Sequence, residues 1–341
     1  MKLNRLLGAF LCAAMTSAIL SGCSGETQAP APASTEAPAP KEETSKTESP
    51  KAAEDGTIDY SSISVEIVAK GFQHDFWKAV KMGSEQAAKD LGLKSTNFVG
   101  PANESAVAEQ IEQLNNAVNK QPSAICLAAL DTQSSLDAIS NAQAAGIPIV
   151  GFDSGVPDAP KGAIVANAAT DNYVAGGLAA EKMYDIIKEQ VTDPAQVVRI
   201  GVVSQDATSQ SIGERTGGFI DKMRTLIGES NCAVEGHDKY NVKADGAKVI
   251  IDVGIPATVD DASCVIVAST LLNKNDLIAI YASNEFTAKN LVTANESLQK
   301  LGSDKVIGVG FDSGSIQLDA VKNGILAGSI TQNPVQIGYQ A

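Results

Sequence analysis

Two short stretches of this chain repeat one another, and they constrain its fold more than any other feature. Gly151-Phe152-Asp153-Ser154-Gly155 follows the apolar run Gly146-Ile147-Pro148-Ile149-Val150, and Gly310-Phe311-Asp312-Ser313-Gly314 follows Lys305-Val306-Ile307-Gly308-Val309. Each run is short, rich in β-branched residues and bounded by turn formers, which is how a parallel strand buried on both faces reads. Each Asp therefore stands at the carboxyl end of a strand, where open α/β sheets hold their ligands. A capping role would explain one such Asp. Two in matching contexts point to two similar lobes that face each other, with Asp153 and Asp312 lining one cleft.

The remaining periodicities fit that frame. A strand is expected over 63–69, a loop over 70–74, and a helix capped by Asp75 and ended by Gly92. Then come a strand over 94–99, a helix over 104–119 with Val107, Ile111, Leu114 and Val118 on one face, a strand over 123–130 ended by Asp131, and a helix over 133–145. This alternation is that of a right-handed parallel sheet. After a short strand over 163–166, residues 167–171 read as a crossing between lobes. The second lobe should hold helices over 172–188, 209–227, 261–272, 286–301 and 316–323, with strands over 197–203, 233–240, 277–282, 305–309 and 326–331. Within 241–258, Lys243-Ala244-Asp245-Gly246 reads as a hairpin turn between two apolar stretches. The expectation is an α/β chain of two Rossmann-like lobes with parallel sheets joined by a hinge: an N-lobe over 61–166, a C-lobe over 167–332, and an incomplete helix over 333–341 returning to the N-lobe.

The first residues read as a leader. Lys2 and Arg5 precede an apolar run over 6–20 that is too short to span a bilayer comfortably, so residues 1–22 read as a signal peptide. Leu20-Ser21-Gly22-Cys23 looks like a bacterial lipobox, which implies a lipid on Cys23. Residues 23–60, with Pro30, Pro32, Pro38, Pro40, Pro50 and almost no large apolar side chain, read as a disordered tether. The expected location is extracytoplasmic, anchored to the cell membrane by that lipid. Net charge is −14, and two units more negative once Lys2 and Arg5 leave with the leader. An acidic chain without a basic cluster is a poor nucleic-acid ligand. Cys126 sits in an apolar run and reads as an inert core thiol, whereas Cys232 and Cys264 could pair in an exported protein.

The sequence carries no Gly-rich dinucleotide fingerprint, P-loop, Cys/His cluster or nucleophile elbow, so it supports no cofactor, no metal and no enzyme. What it supplies is a cleft inventory. Strand ends give Lys70, Asp131, Asp153 and Asp312, and the first loop and helical turn give Gln73, His74, Phe76 and Trp77. Carboxylates and amides bond hydroxyl groups, and aromatic faces suit the C–H faces of a sugar ring. The mixture suits a neutral polyhydroxylated ligand. Trp77, the only Trp, is expected against that ligand.

From residue 62 onward the chain resembles the periplasmic sugar-binding proteins of ABC transporters, in their ribose and galactose branch. The marks are Gln73-His74-Asp75-Phe76-Trp77, Gly146-Ile147-Pro148 leading into Phe152-Asp153, Thr170-Asp171-Asn172, Gly213-Glu214-Arg215-Thr216-Gly217-Gly218-Phe219, Ser283-Asn284-Glu285, Gly308-Val309-Gly310-Phe311-Asp312 and Gln332-Asn333-Pro334. The resemblance implies a periplasmic-binding-protein type I fold. It places His74, Phe76, Trp77 and Asp153 in the N-lobe and Asn284, Asp312 and Gln332 in the C-lobe of one site. Ribose-binding relatives carry an Arg directly after the first Asp and another two residues before the Arg matching Arg215. Here those places hold Ser154 and Gly213, which argues against ribose itself, and Arg215 reads as structural. The implied activity is capture of a monosaccharide by a monomer and delivery to an ABC permease. The alternative is presentation of the bound ligand to a sensor.

Overall fold

A computed structural model describes residues 58–192 and 194–341. The expected signal peptide over 1–22, the expected lipid site Cys23 and the expected tether up to residue 57 lie outside the described residues.

The first sheet is built from β1 (Ser64–Val68), β2 (Ser95–Val99), β3 (Ala124–Leu127), β4 (Ile149–Phe152) and β5 (Ile164–Ala168), in the order β2-β1-β3-β4-β5. All its pairings are parallel. Helices α1 (Asp75–Leu91), α2 (Val107–Asn119) and α3 (Leu136–Ala144) connect the strands. The second sheet holds β6 (Val198–Val203), β7 (Cys232–Glu235), β8 (Val249–Gly254), β9 (Leu277–Ala282), β10 (Ile307–Phe311) and β11 (Gly328–Ile330), in the order β11-β10-β9-β6-β8-β7 and again parallel. Helices α4 (Asn172–Thr192), α5 (Gln210–Ile227), α6 (Asp261–Leu272), α7 (Glu285–Leu298) and α8 (Ser315–Lys322) cover it. Every residue of β10 is buried, as expected of a strand with helices on both faces.

The chain passes between the sheets at 169–171 and 331–333, and the Thr170 hydroxyl donates to Gln332 Oε1 at 2.7 Å, tying the two crossings together. Helix α9 (Pro334–Gln340) then packs on α1. That contact is backbone to backbone. A Cβ on Gly83 would lie 1.9 Å from the Val335 carbonyl oxygen, and one on Gly338 would lie 1.9 Å from that of Val80.

Four expectations need correction. Asp75 is the first residue of α1, paired with Lys78, and does not cap the helix. Helix α2 starts at Val107, so Glu104 stands in the loop before it. The stretch over 241–258 is no hairpin. Val242 bridges back to Val234, and the β-branched run at 249–251 becomes β8, inserted parallel between β6 and β7. Its near-complete burial explains the placement, since such a run gains most at the centre of a covered sheet. Finally, Cys232 and Cys264 do not pair. Cys232 belongs to the core under α4 and α5, and Cys264 to the core under α6 and α7 on the opposite face of the sheet. Burial pushes both thiols, and that of Cys126, up to about 12, so all three are inert.

Candidate functional site

Both repeated stretches end their strands in the same conformation. Asp153 follows β4 with φ 52°, and Asp312 follows β10 with φ 74°. Left-handed backbone is sparsely populated by residues other than Gly, and where it persists the surroundings hold it there. The hold is the same in both copies. Asp153 N–H donates to the Ala168 carbonyl on the neighbouring strand at 3.1 Å, and Asp312 N–H to that of Ile330 at 2.7 Å. The twist turns both carboxylates into the space between the sheets, where each is only 5% exposed.

That space is a small cavity lined by Lys70, His74, Phe76, Trp77, Glu104, Asp153, Ser211, Ile212, Arg215, Asn284, Asp312 and Gln332. At its centre on the N-lobe side is Glu104. One carboxylate oxygen lies 2.9 Å from His74 Nε2 and accepts the Trp77 indole N–H at 2.7 Å, and the other lies 3.3 Å from Lys70 Nζ. Burial works to raise the Glu104 pKa. The Lys70 charge and the bonds from His74 and Trp77 outweigh it and hold this carboxyl well below the usual range. On the C-lobe side Arg215 lies over the Phe311 ring at 4.0 Å, donates to Asn172 at 2.8 Å, and stands 3.9 Å from Asp153 and 4.0 Å from Asp312.

The two aspartates are not equivalent. Asp312 accepts the backbone N–H of Glu285 at 2.9 Å and the Gln332 amide at 2.7 Å, so it caps α7 as well as facing the cavity. Among the described residues no hydrogen bond reaches the Asp153 carboxylate. Burial, which Lys70 and Arg215 only partly offset, raises its pKa. His74 Nδ1 is likewise buried and unpaired. Buried polar atoms normally have partners, so a pair of orphans facing one cavity marks where a ligand's polar groups would bond.

The lobes meet around this cavity. Gln205 bridges them, donating to Glu104 at 2.8 Å and accepting from Asn284 at 2.6 Å. Glu285 of the C-lobe accepts the first two N–H groups of α1, from Asp75 at 3.1 Å and Phe76 at 3.2 Å. It does the capping that Asp75 does not, and a carboxylate at a helix N-terminus is favoured by the helix dipole. Bonds to a charged acceptor contribute roughly 1.5–3 kcal/mol each, net of desolvation. Glu285→Ala should therefore open the lobes. Small-angle scattering of the unliganded variant should give a larger radius of gyration than the parent, and an unchanged radius would show that the latch contributes nothing.

The site also carries a pH signature. Burial lowers the His74 pKa, but the bond and charge of Glu104, with Glu285 and Asp312 behind it, lift it above 6.5. A histidine with a raised folded pKa contributes stability that is complete below pH 6.5 and fades as pH climbs through the raised value. Melting temperature should fall over that window in the parent and fall less in His74→Asn. Equal slopes would contradict the assignment.

Of the residues read from sequence, Lys70, His74, Phe76, Trp77, Asp153, Asn284, Asp312 and Gln332 border one cavity. Gln73 and Asp131 do not. Gln73 accepts the Glu104 backbone N–H at 2.6 Å and so props the loop that carries the carboxylate. Asp131 accepts the Ser134 N–H at 2.7 Å as a turn cap outside the cavity. Trp77 is 1% exposed, with the Phe76 and Phe152 rings edge-on to it, so its ring belongs to the core and only its rim meets the cavity. Arg215 is no mere scaffold residue, since its guanidinium faces both aspartates. Glu104, Gln205, Ser211 and Ile212 were missed. Glu104 was hidden by its fit to a helical start, and the others stand in a segment that reads as plain helix and loop.

Comparison with known proteins agrees with this geometry. Residues 65–341 match the model of the periplasmic binding protein domain. The chain belongs to the periplasmic binding protein family. The curated relatives it matches include a ribose import binding protein of Haemophilus influenzae, 26% identical over 275 residues covering 80% of this chain and 81% of the relative. The D-allose-binding periplasmic protein of Escherichia coli is 25% identical over 287 residues, 83% of each chain. Similar solved structures include a Brachyspira murdochii protein described as an ABC transporter, LacI family transcriptional regulator (TM-score 0.67, 33% identity, 82% of this chain and 87% of that one). Another is an Agrobacterium vitis ABC transporter solute-binding protein with bound D-fucose (TM-score 0.67, 28% identity, 81% and 86%). The Haemophilus influenzae, Escherichia coli and Agrobacterium vitis relatives are described as binding proteins, and the family is that of periplasmic binding proteins. The periplasmic binding protein fold accounts for the two parallel sheets and the double crossing between them.

Proposed function

We propose that this chain is an extracytoplasmic solute-binding lipoprotein that captures a monosaccharide between its lobes and hands it to an ABC permease. The observation that carries the reading is the pair of left-handed strand-end aspartates, one per lobe, facing one buried polar cavity. Positive charges on Lys70, Arg215 and His74 are matched there by the carboxylates of Glu104, Asp153 and Asp312, so the site suits a neutral ligand rich in hydroxyls. The names of the relatives agree: the Haemophilus influenzae protein imports ribose, the Escherichia coli protein binds D-allose, and the Agrobacterium vitis protein holds D-fucose.

As it stands the cavity has room for about one water, so binding a sugar requires the lobes to part and close again about the crossings at 169–171 and 331–333. A thermal-shift panel of pentoses, hexoses and sugar alcohols tests the ligand class. At least one monosaccharide should raise the melting temperature in proportion to the logarithm of its concentration, and a flat panel would contradict the reading.

The lipid on Cys23 rests on the lipobox-like tetrapeptide and the proline-rich segment after it. Cys23→Ala should release the protein from the membrane fraction or leave its leader uncleaved. Normal attachment of that variant would remove the lipoprotein from the proposal.

A further inference from the structure

The first repeated stretch also walls a second space. On the β5 side of Asp153, a polar groove of about 370 Å³ runs between the 155–162 loop and the start of α5. It is within the size range of small-molecule sites. It shares Asp153 with the central cavity, and it has far more free volume than that cavity.

The glycines that flank Asp153 shape this groove. A Cβ on Gly151 would lie 2.0 Å from Asn167 Oδ1, and a Cβ on Gly155 would lie 2.5 Å from Gln210 Oε1 and 3.2 Å from Asn167 Oδ1. A side chain at 151 would displace the Asn167 oxygen, and one at 155 the Gln210 oxygen, so the bare glycines let both amides lie against the backbone on either side of Asp153. Gln210 Nε2 donates to Glu214 at 2.7 Å, which fixes the direction of the Gln210 oxygen. Among the described residues, the side chains of Lys161 and Asn167 make no hydrogen bond, although both border the groove. The groove thus offers acceptors from Asp153, Asn167, Gln210 and Glu214 and donors from Asn167 and Lys161, with one ammonium facing two carboxylates.

We infer that this groove is an extension subsite: it receives a second neutral, hydroxyl-rich unit attached to the monosaccharide, so that glycosides or disaccharides are ligands as well as the free sugar. The inference rests on the monosaccharide reading of the central cavity. Asp153, whose carboxylate takes no hydrogen bond among the described residues, lines both spaces. On this inference a ring held between the lobes projects its substituent past Asp153, the residue that both spaces share, into the groove. A cavity sealed all round would accept only the bare monosaccharide.

The test is a calorimetric titration of the full folded chain. Its probes are the monosaccharide giving the largest thermal shift, the methyl glycosides of that sugar, and disaccharides containing it. At least one glycoside or disaccharide should bind within threefold of the free sugar or more tightly. Ala159→Trp, which fills the groove from its loop wall, should keep the affinity for the free sugar within threefold and weaken the extended ligand at least tenfold. Melting curves establish that the variant folds, and Ala159→Leu replaces it if it does not. If every extended ligand binds the parent more than tenfold more weakly than the free sugar, the groove is not a subsite, while the monosaccharide reading stands. If an extended ligand binds parent and filled variant alike, its second unit lies elsewhere and the inference fails. If no monosaccharide binds at all, the reading beneath the inference fails first.

Discussion

Asp153→Ala is expected to weaken monosaccharide binding by about one to two powers of ten while leaving the unliganded protein as stable as the parent. Bonds from hydroxyls to a carboxylate contribute roughly 1.5–3 kcal/mol net, and ~1.4 kcal/mol is tenfold in affinity. Asp153 is buried, holds a strained φ of 52°, and its carboxylate has no hydrogen bond to lose among the described residues. Burial disfavours its charge more than Lys70 and Arg215, the latter 3.9 Å away, favour it, and Glu104 and Asp312 repel it. Removing it therefore costs the empty protein little. Asp153→Asn should be milder, since it keeps one acceptor oxygen. Asp312→Ala should behave differently, because Asp312 accepts from Glu285 N–H and from Gln332. That variant should lose melting temperature as well as affinity. Calorimetry and melting curves on the pair separate the two roles. If Asp153→Ala binds within threefold of the parent, Asp153 does not touch the ligand.

Glu104→Ala is expected to be the most damaging single change at the site. It leaves the Lys70 ammonium buried without its partner, orphans the Trp77 N–H, and removes both the His74 contact and the bridge to Gln205. Breaking a buried ion pair from one side costs about 3–5 kcal/mol, a drop on the order of 10 °C in melting temperature for a chain of this size. Binding should fall by more than a hundredfold, because Lys70, His74 and Trp77 all take their positions from this carboxylate. A double-mutant cycle with Lys70→Met isolates the charge penalty, and the double variant should recover part of what Glu104→Ala loses. The acid limb of stability should change too. A carboxyl with a depressed folded pKa contributes stability present above its unfolded value of 4.5 and lost as pH falls below it. The parent should lose melting temperature below that point more steeply than Glu104→Gln. An Ala variant that melts and binds like the parent would show that Glu104 is not the hub of the site.

Most of the fold was legible because parallel strands covered on both faces announce themselves as short β-branched runs, as at 147–150 and 306–309. The run at 249–251 was of the same kind. It was passed over because the turn-forming Lys243-Ala244-Asp245-Gly246 before it suggested an antiparallel return, and sequence alone does not say which neighbour a strand will pair. The two strand-end aspartates were legible for the same reason as their strands. Their left-handed backbone, and the inequality between a capped Asp312 and an unpaired Asp153, depend on what lies across the sheet and were not. Glu104 and Arg215 illustrate the harder limit. Each belongs locally to a helix or its approach, and its role follows from charges brought near it by distant segments: Lys70 and Gln205 for the first, Asp153 and Asp312 for the second. Trp77 combines two roles that sequence does not separate: it borders the cavity, and it also packs against the Phe76 and Phe152 rings while Glu104 satisfies its N–H within the lobe.

The most direct measurement is a crystal structure of the protein with the monosaccharide that gives the largest thermal shift. The account predicts one sugar between the lobes, with hydroxyl oxygens at roughly 2.5–3.0 Å from carboxylate oxygens of both Asp153 and Asp312 and a third polar group on His74 Nδ1. A sugar bound outside this cleft, or held in it by one lobe's aspartate alone, would contradict it.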